Sequence, residues 1–264
     1  MNGRKRGSFR IFMTAAAVMI ASSAPEQAWS RQETPFNGGW RMALGDPANA
    51  EIPNFDDRSW KTVTLPRALN EDDAFKVGIE DQKTGIVWYR KRLTLPADIG
   101  PSVGGRAILE FEGARQAAEV FVNGVHVGGH ENGVGSFAVD ATPYLKPAPF
   151  ENVVAVRVDN SWDYKERATG TPFQWNNKNF NANYGGLNQR VRLHLTGSLH
   201  QTLPFYSSLG TTGVYIWADA FDFKRRSARI HAESQVRNLS DRPRSFVFEV
   251  SLRDVDGKPA GRLR

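Results

Sequence analysis

Residues 161–186 gather Trp162, Tyr164, Phe173, Trp175, Phe180 and Tyr184 among Asn176, Asn177, Asn179, Asn181 and Asn183. Indole and phenol rings stack on apolar C–H faces, and carboxamides both donate to and accept from hydroxyls. A ligand that presents a C–H face ringed by hydroxyls is a sugar. Trp162, Trp175, Asn176, Asn177, Asn179 and Tyr184 are therefore the candidate sugar-binding set. The competing explanation is structural: the rings pack the segment onto its own domain or a neighbouring one, and the asparagines supply turn geometry. A connection this long in a compact domain is functional or disordered, and its aromatic content disfavours disorder. Taken whole, the segment reads as functional.

Other groupings carry less chemistry. His126 and His130 are four apart, a metal-ligand spacing on a helix. They fall instead in a strand pattern interrupted by Gly128-Gly129, where that spacing does not place them together. Ser136, His130 and Asp140 are near in sequence but lack the strand-turn-helix elbow that presents a nucleophile. Asp72, Asp73, Glu80 and Asp81 fit no calcium-loop spacing and read as a solvated acidic connection. The chain has no cysteine, which removes disulfides, thiolate metal sites and a lipidated N-terminal cysteine. No metal or cofactor is implied.

The elements that must position these residues are strands. Over residues 86–93, Val87, Tyr89 and Leu93 alternate with Trp88, Arg90 and Arg92, the first set inward and the second outward. Ala107, Leu109 and Phe111 form the inward set of the next strand, and Val191, Leu193 and Leu195 that of a later one; residues 153–159 repeat the alternation. Asn123-Gly124, between residues 119–122 and 125–127, is a strong hairpin signal because a type I′ turn needs two residues tolerant of positive φ. Short alternating strands punctuated by Gly, Pro and Asn predict antiparallel sheets packed as a sandwich, in particular a jelly roll. Trp40 and Trp60 are assigned to core and rim. Two connections exceed simple turns: the acidic one over residues 66–85 and the aromatic one over 161–186. After Thr196-Gly197 a boundary is expected, followed by strands over residues 213–223, 228–236 and 246–255.

The first thirty residues read as an export signal. Arg4, Lys5, Arg6 and Arg10 precede an apolar run over residues 11–21, and Ala28-Trp29-Ser30 offers a cleavage site after Ser30. That run is shorter than the roughly 20 residues needed to span a bilayer, and no later segment approaches it. The expectation is an exported protein, periplasmic or extracellular, with no membrane segment once the signal is removed. The signal holds four Arg/Lys against Glu26, half of the formal net charge of +6. The remaining charge is spread without runs, which gives no case for nucleic acid.

Six stretches in order resemble the sugar-binding N-terminal domain of glycoside hydrolase family 2, which includes β-galactosidases, β-glucuronidases and β-mannosidases. They are Gly85-Ile86-Val87-Trp88-Tyr89-Arg90, Phe111-Glu112-Gly113-Ala114, the hairpin over residues 118–128, Ser136-Phe137-Ala138-Val139-Asp140-Ala141-Thr142, residues 152–160, and Tyr184-Gly185-Gly186-Leu187 leading into Val191-Arg192-Leu193. The tail from Gly213 resembles the start of the immunoglobulin-like domain that follows in such enzymes. The resemblance implies a fold and a division of labour. The expected architecture is all-β: a signal over residues 1–30, a galactose-binding-like jelly roll over 31–198, and a partial immunoglobulin-like sandwich over 199–264. Catalysis in that family belongs to a later (β/α)8 barrel, whose two carboxyl groups about 5–5.5 Å apart hydrolyse with retention. No βαβ pattern is present here to hold them. Asn70-Glu71 matches the family's Asn-Glu acid/base pair only superficially, since it lies in the acidic connection ahead of the sandwich strands.

Two functions remain open on the sequence. One is the non-catalytic front of an exported family 2 glycosidase, β-galactosidase-like, that supports a barrel and lines its β-glycoside site. The other is a stand-alone carbohydrate-binding or docking β-sandwich, or a subunit that docks to a separate barrel chain. Arg264 falls where another strand is due, so the sequence predicts a truncated second sandwich of marginal stability.

Overall fold

A computed structural model describes residues 31–171 and 184–263. Residues 1–30, read as an export signal, and the candidates Trp175, Asn176, Asn177 and Asn179 lie outside the described residues. The chain divides into two units, residues 31–198 with Ser207–Leu209, and residues 199–206 with 210–263.

The first unit contains strands β1 (Gln32–Pro35), β2 (Trp40–Leu44), β3 (Lys61–Val63), β4 (Arg67–Ala68), β5 (Ile86–Thr94), β6 (Ala107–Phe111), β7 (Ala117–Val122), β8 (Val125–His130), β9 (Phe137–Asp140), β10 (Glu151–Asp159), β11 (Gly186–Leu187) and β12 (Val191–Leu195). Four of them form a sheet in the order β1-β12-β6-β9, six form a second in the order β3-β2-β5-β10-β7-β8, and β4 pairs with β11 separately. All pairings are antiparallel, and the non-sequential orders are those of a jelly-roll sandwich. The Asn123-Gly124 turn forms as its sequence demands, with φ of 51° and 86°. Asn123 also uses its carboxamide, accepting from Val153 N at 3.0 Å and donating to Tyr144 O at 2.8 Å.

Alternation decides what fills the sandwich. Val87 and Tyr89 of β5, Leu109 and Phe111 of β6, Val120 and Val122 of β7, and Leu193 and Leu195 of β12 meet in one apolar cluster with Trp40. Phe111 stacks on Phe137 with centroids 4.7 Å apart. At about 25 cal/mol per Å² of apolar surface removed from water, these bulky side chains dominate the stability of the unit.

One expectation needs correction. Most of the outward set of β5 is not solvated: Trp88 is 3% exposed and Arg90 is fully buried, and only Arg92 of the three is exposed. The 45–60 segment folds over the outer face of the six-stranded sheet, where Ala50, Trp60, Trp88 and Ala155 make a second apolar cluster with Phe55 and Phe121 against it. A charge beneath such a cover must be paired. Arg90 Nε donates to Asp57 Oδ2 at 2.9 Å, Arg90 Nη1 donates to Ala50 O, and Phe55 lies against the guanidinium at 5.4 Å. His194 of β12 is likewise 1% exposed. Its Nε2 lies 2.5 Å from Glu110 Oε2.

The second unit carries β13 (Leu199–Gln201), β14 (Val214–Asp222), β15 (Ser227–Ser234), β16 (Val236–Asn238), β17 (Val250–Arg253) and β18 (Pro259–Leu263). They pair in twos, β13 with β16, β14 with β15 and β17 with β18. A cleft of about 960 Å³ opens between Tyr206, Thr211, Tyr215, Gln235, Phe246 and Phe248. Both buried apolar clusters belong to the first unit.

Asp57→Ala should lower unfolding free energy in urea by about 3–5 kcal/mol, because it strands a buried guanidinium. A loss below about 1 kcal/mol would mean that the carbonyls suffice. Glu110 offers a pH test. The hydrogen bond from His194 holds its carboxyl below the usual carboxylate range. Its contribution is complete above the unfolded value near pH ~4.3 and disappears as pH falls through the lower folded value. Glu110→Gln should therefore destabilise the protein at pH 7 and flatten the acid limb of Tm against pH.

Candidate functional site

The candidate segment leaves the sandwich at the end of β10 and returns through β11. Its entry is fixed by Asp159, 3% exposed, whose Oδ1 accepts from Ser161 N at 2.9 Å and whose Oδ2 pairs with Arg167 Nη2 at 3.2 Å. Arg167 lies on a short helix, Tyr164–Thr169, that Gly170 closes in the left-handed conformation. Its Nε also pairs with Asp163 at 3.2 Å. The helix is tied a second time to the sandwich, because Tyr164 Oη donates to Glu131 Oε1 at 2.9 Å. Burial, reinforced by that carboxylate, pushes the Tyr164 phenol up to about 12, so it remains a neutral donor throughout the physiological range. Trp162 stands between these anchors, half-buried.

The exit is governed by close approach. Gly185 and Gly186 pass directly over the core: a Cβ on Gly186 would lie 2.2 Å from Tyr89 Oη, and one on Gly185 would lie 2.0 Å from Asn160 Nδ2. Gly186 also has φ of 93°, in the left-handed range that excludes ordinary side chains. With no side chain in the way, Gly186 exchanges two backbone hydrogen bonds with Arg115, at 2.9 and 2.6 Å. On its other side it pairs with Ala68. Tyr184, half-buried, is held just before this crossing by Asn188 Nδ2 donating to its carbonyl at 3.0 Å. The described residues thus place Trp162 and Tyr184 at the two ends of one loop, both partly open to solvent.

The acidic connection proves to be coupled to this loop. Its first residues include β4, the partner of β11, and its last precede β5, the partner of β10. Leu69 N donates to Gly185 O at 2.8 Å, and Asn160 N donates to Gly85 O at 2.8 Å. Both stems of one loop are therefore bonded to both stems of the other. Within the acidic connection Arg67 pairs with Glu71 and Asp72 at 2.8 and 2.6 Å, and Lys83 pairs with Asp73 at 3.1 Å. Asn70 is fully buried and donates to Lys83 O at 3.0 Å. Asn70-Glu71 is built into the stem of this loop.

His130 stacks on Phe137 with ring centroids 4.7 Å apart, and His126 and Phe121 meet edge to face at 5.2 Å. Sequence reasoning missed Asp159, Arg167 and Glu131 as anchors of the aromatic loop. The Tyr184-Gly185-Gly186 run was the one available hint, since paired glycines mark close backbone approach.

With this geometry in place, residues 70–194 match the galactose-binding-like domain of glycosyl hydrolase family 2. The chain carries the galactose-binding-like domain of glycoside hydrolase family 2. A β-glucuronidase of Formosa agariphila is 34% identical over 229 residues, which cover 84% of this chain and 23% of that protein. A β-galactosidase of Bacteroides ovatus is 31% identical over 242 residues, covering 89% of this chain and 25% of that one. Among solved structures, a family 2 β-glucuronidase superposes with a TM-score of 0.74 at 32% identity, over 93% of this chain and 25% of that chain. This family 2 chain spans about a quarter of the length of the relatives it matches.

Gly186→Ala should disrupt the β4–β11 crossing and release the ends of both loops, lowering Tm and exposing residues 160–186 to limited proteolysis. Combining it with Tyr89→Phe removes the nearest clash but leaves the ring carbons at 3.1 and 3.3 Å and the φ strain, so recovery should be partial. Full recovery would mean that the backbone conformation carries no cost.

Proposed function

We propose that this chain is the non-catalytic N-terminal portion of an exported family 2 glycosidase that acts on terminal β-linked sugars. The observation that carries this reading is the mismatch of coverage: 84% and 89% of this chain, but only 23% and 25% of the relatives, fall in the aligned regions. In this reading the jelly roll supports a (β/α)8 barrel, which supplies both carboxyl groups of the retaining reaction. Residues 161–186 line one wall of the sugar site, with Trp162, Trp175 and Tyr184 stacking on the ligand and Asn176, Asn177 and Asn179 pairing with its hydroxyls. The named relatives divide between β-glucuronidases and β-galactosidases. The substrate is accordingly a β-galactoside or a β-glucuronide, with the galactoside as the first choice. The chain by itself is inactive.

The decisive measurement is the mass of the polypeptide that the native cell exports, detected with an antibody raised against residues 35–197. The expected species is several times larger than 29.4 kDa. It should be found outside the cytoplasm and should hydrolyse aryl β-galactosides or aryl β-glucuronides. A species near the mass of the chain less its signal, binding glycans without hydrolysing them, would overturn this in favour of a stand-alone binding module.

A further inference from the structure

The β14–β15 hairpin ends in a turn that joins exposed aromatic rings to a run of cations. Phe221 is 60% exposed and Phe223 is 88% exposed, and the two rings stack at 6.3 Å outside both apolar clusters. Lys224, Arg225 and Arg226 follow directly, all of them exposed. The local backbone presents this group. Between the pairs Asp219–Arg229 and Asp222–Ser227, β14 advances three residues while β15 advances two, a bulge that bends the hairpin just below its tip. Ala220 in the bulge and Arg226 in the turn both have positive φ, 48° and 53°. Asp222 closes the turn, its Oδ1 accepting from Arg225 N at 2.9 Å, and its other oxygen lies 3.7 Å from Arg225 Nε. It is the one acid within residues 221–226, against three cations.

Two properties on one tip narrow what it fits. Exposed phenyl rings gain free energy on leaving water, and they make no hydrogen bond that would demand a pattern of hydroxyls. The adjacent cations demand a dense negative charge. An anionic bilayer offers both at once, phosphates at its surface and an apolar layer directly beneath. We propose that the β14–β15 tip is a peripheral attachment point for an anionic lipid bilayer. Phe221 and Phe223 enter the interface, and Lys224, Arg225 and Arg226 lie against the phosphates. The attachment is to the surface, since no helix among the described residues is long and apolar enough to cross a membrane. It is independent of residues 161–186 and of whether they bind sugar. Rings and cations act together because neither contribution alone gives more than marginal, reversible binding.

The test uses the 264-residue chain, which has no cysteine, so Ser227→Cys supplies a single thiol beside the tip for an environment-sensitive dye. Vesicles of equal parts phosphatidylcholine and phosphatidylglycerol should shift the dye emission to the blue. Pure phosphatidylcholine should not, and high salt should reverse the shift. Replacing Lys224→Gln, Arg225→Gln and Arg226→Gln together should weaken vesicle binding about a hundredfold, at roughly fivefold per cation. Phe221→Ser with Phe223→Ser should weaken it about tenfold or more. These side chains are exposed, so Tm should be unchanged in both variants. Co-sedimentation with vesicles at unchanged dye emission would place the contact elsewhere, in residues 1–30 for example, and overturn the proposal. Variants that bind vesicles as tightly as the unsubstituted chain would also overturn it. So would an equal blue shift produced by single-stranded RNA, or by raising the concentration of the chain without vesicles.

Discussion

Gly186 has no side chain because the Tyr89 hydroxyl occupies the place where one would begin. Much of the loop end of the sandwich follows from this. Tyr89 sits on the inward face of β5, fully buried, and burial pushes its ionisation upward, so its hydroxyl persists as a donor to Arg67 O at 2.7 Å. The approach of Gly186 lets β11 lie against β4 on one side and bond to Arg115 on the other. Three stretches remote in sequence therefore meet above one buried phenol. Their meeting fixes where the aromatic loop ends and where the acidic loop begins.

Much of this architecture was legible in period two. Val87, Tyr89, Leu109, Phe111, Val191 and Leu193 were placed inward by alternation and are core, and the Asn123-Gly124 turn has the two positive φ values its residues favour. What alternation cannot reveal is whether the opposite face meets water. Trp88, Arg90 and Arg92 share one face of β5, yet the first two are buried and only Arg92 is exposed. For Trp88 and Arg90 the cover is the 45–60 segment, which has no periodicity of its own, and Asp57, the partner of Arg90, is 33 residues away in sequence. The coupling of the two loops was illegible for a related reason. It depends on strands of two residues, too short for any pattern, and on main-chain groups that every residue possesses.

The two units differ in what holds them. The first closes both apolar clusters within itself and buries even its one fully enclosed guanidinium with a carboxylate. In the second, Tyr215, Ile216, Phe246 and Phe248 are exposed, and the strands pair only in twos. Two-stranded ribbons are marginal without a face to pack on. Stability of the isolated chain therefore resides in the jelly roll.

That distribution bears on how the loop end can change without loss of the fold. The stems are secured by main-chain hydrogen bonds, by Asp159 and by glycines under steric constraint, none of which depends on the identity of the rings beyond them. Trp162 and Tyr184 stand at the ends of a frame whose hydrogen bonds do not use their rings, so substitution there costs the sandwich little. Relatives of similar identity to this chain, 34% and 31%, accordingly include both a β-glucuronidase and a β-galactosidase.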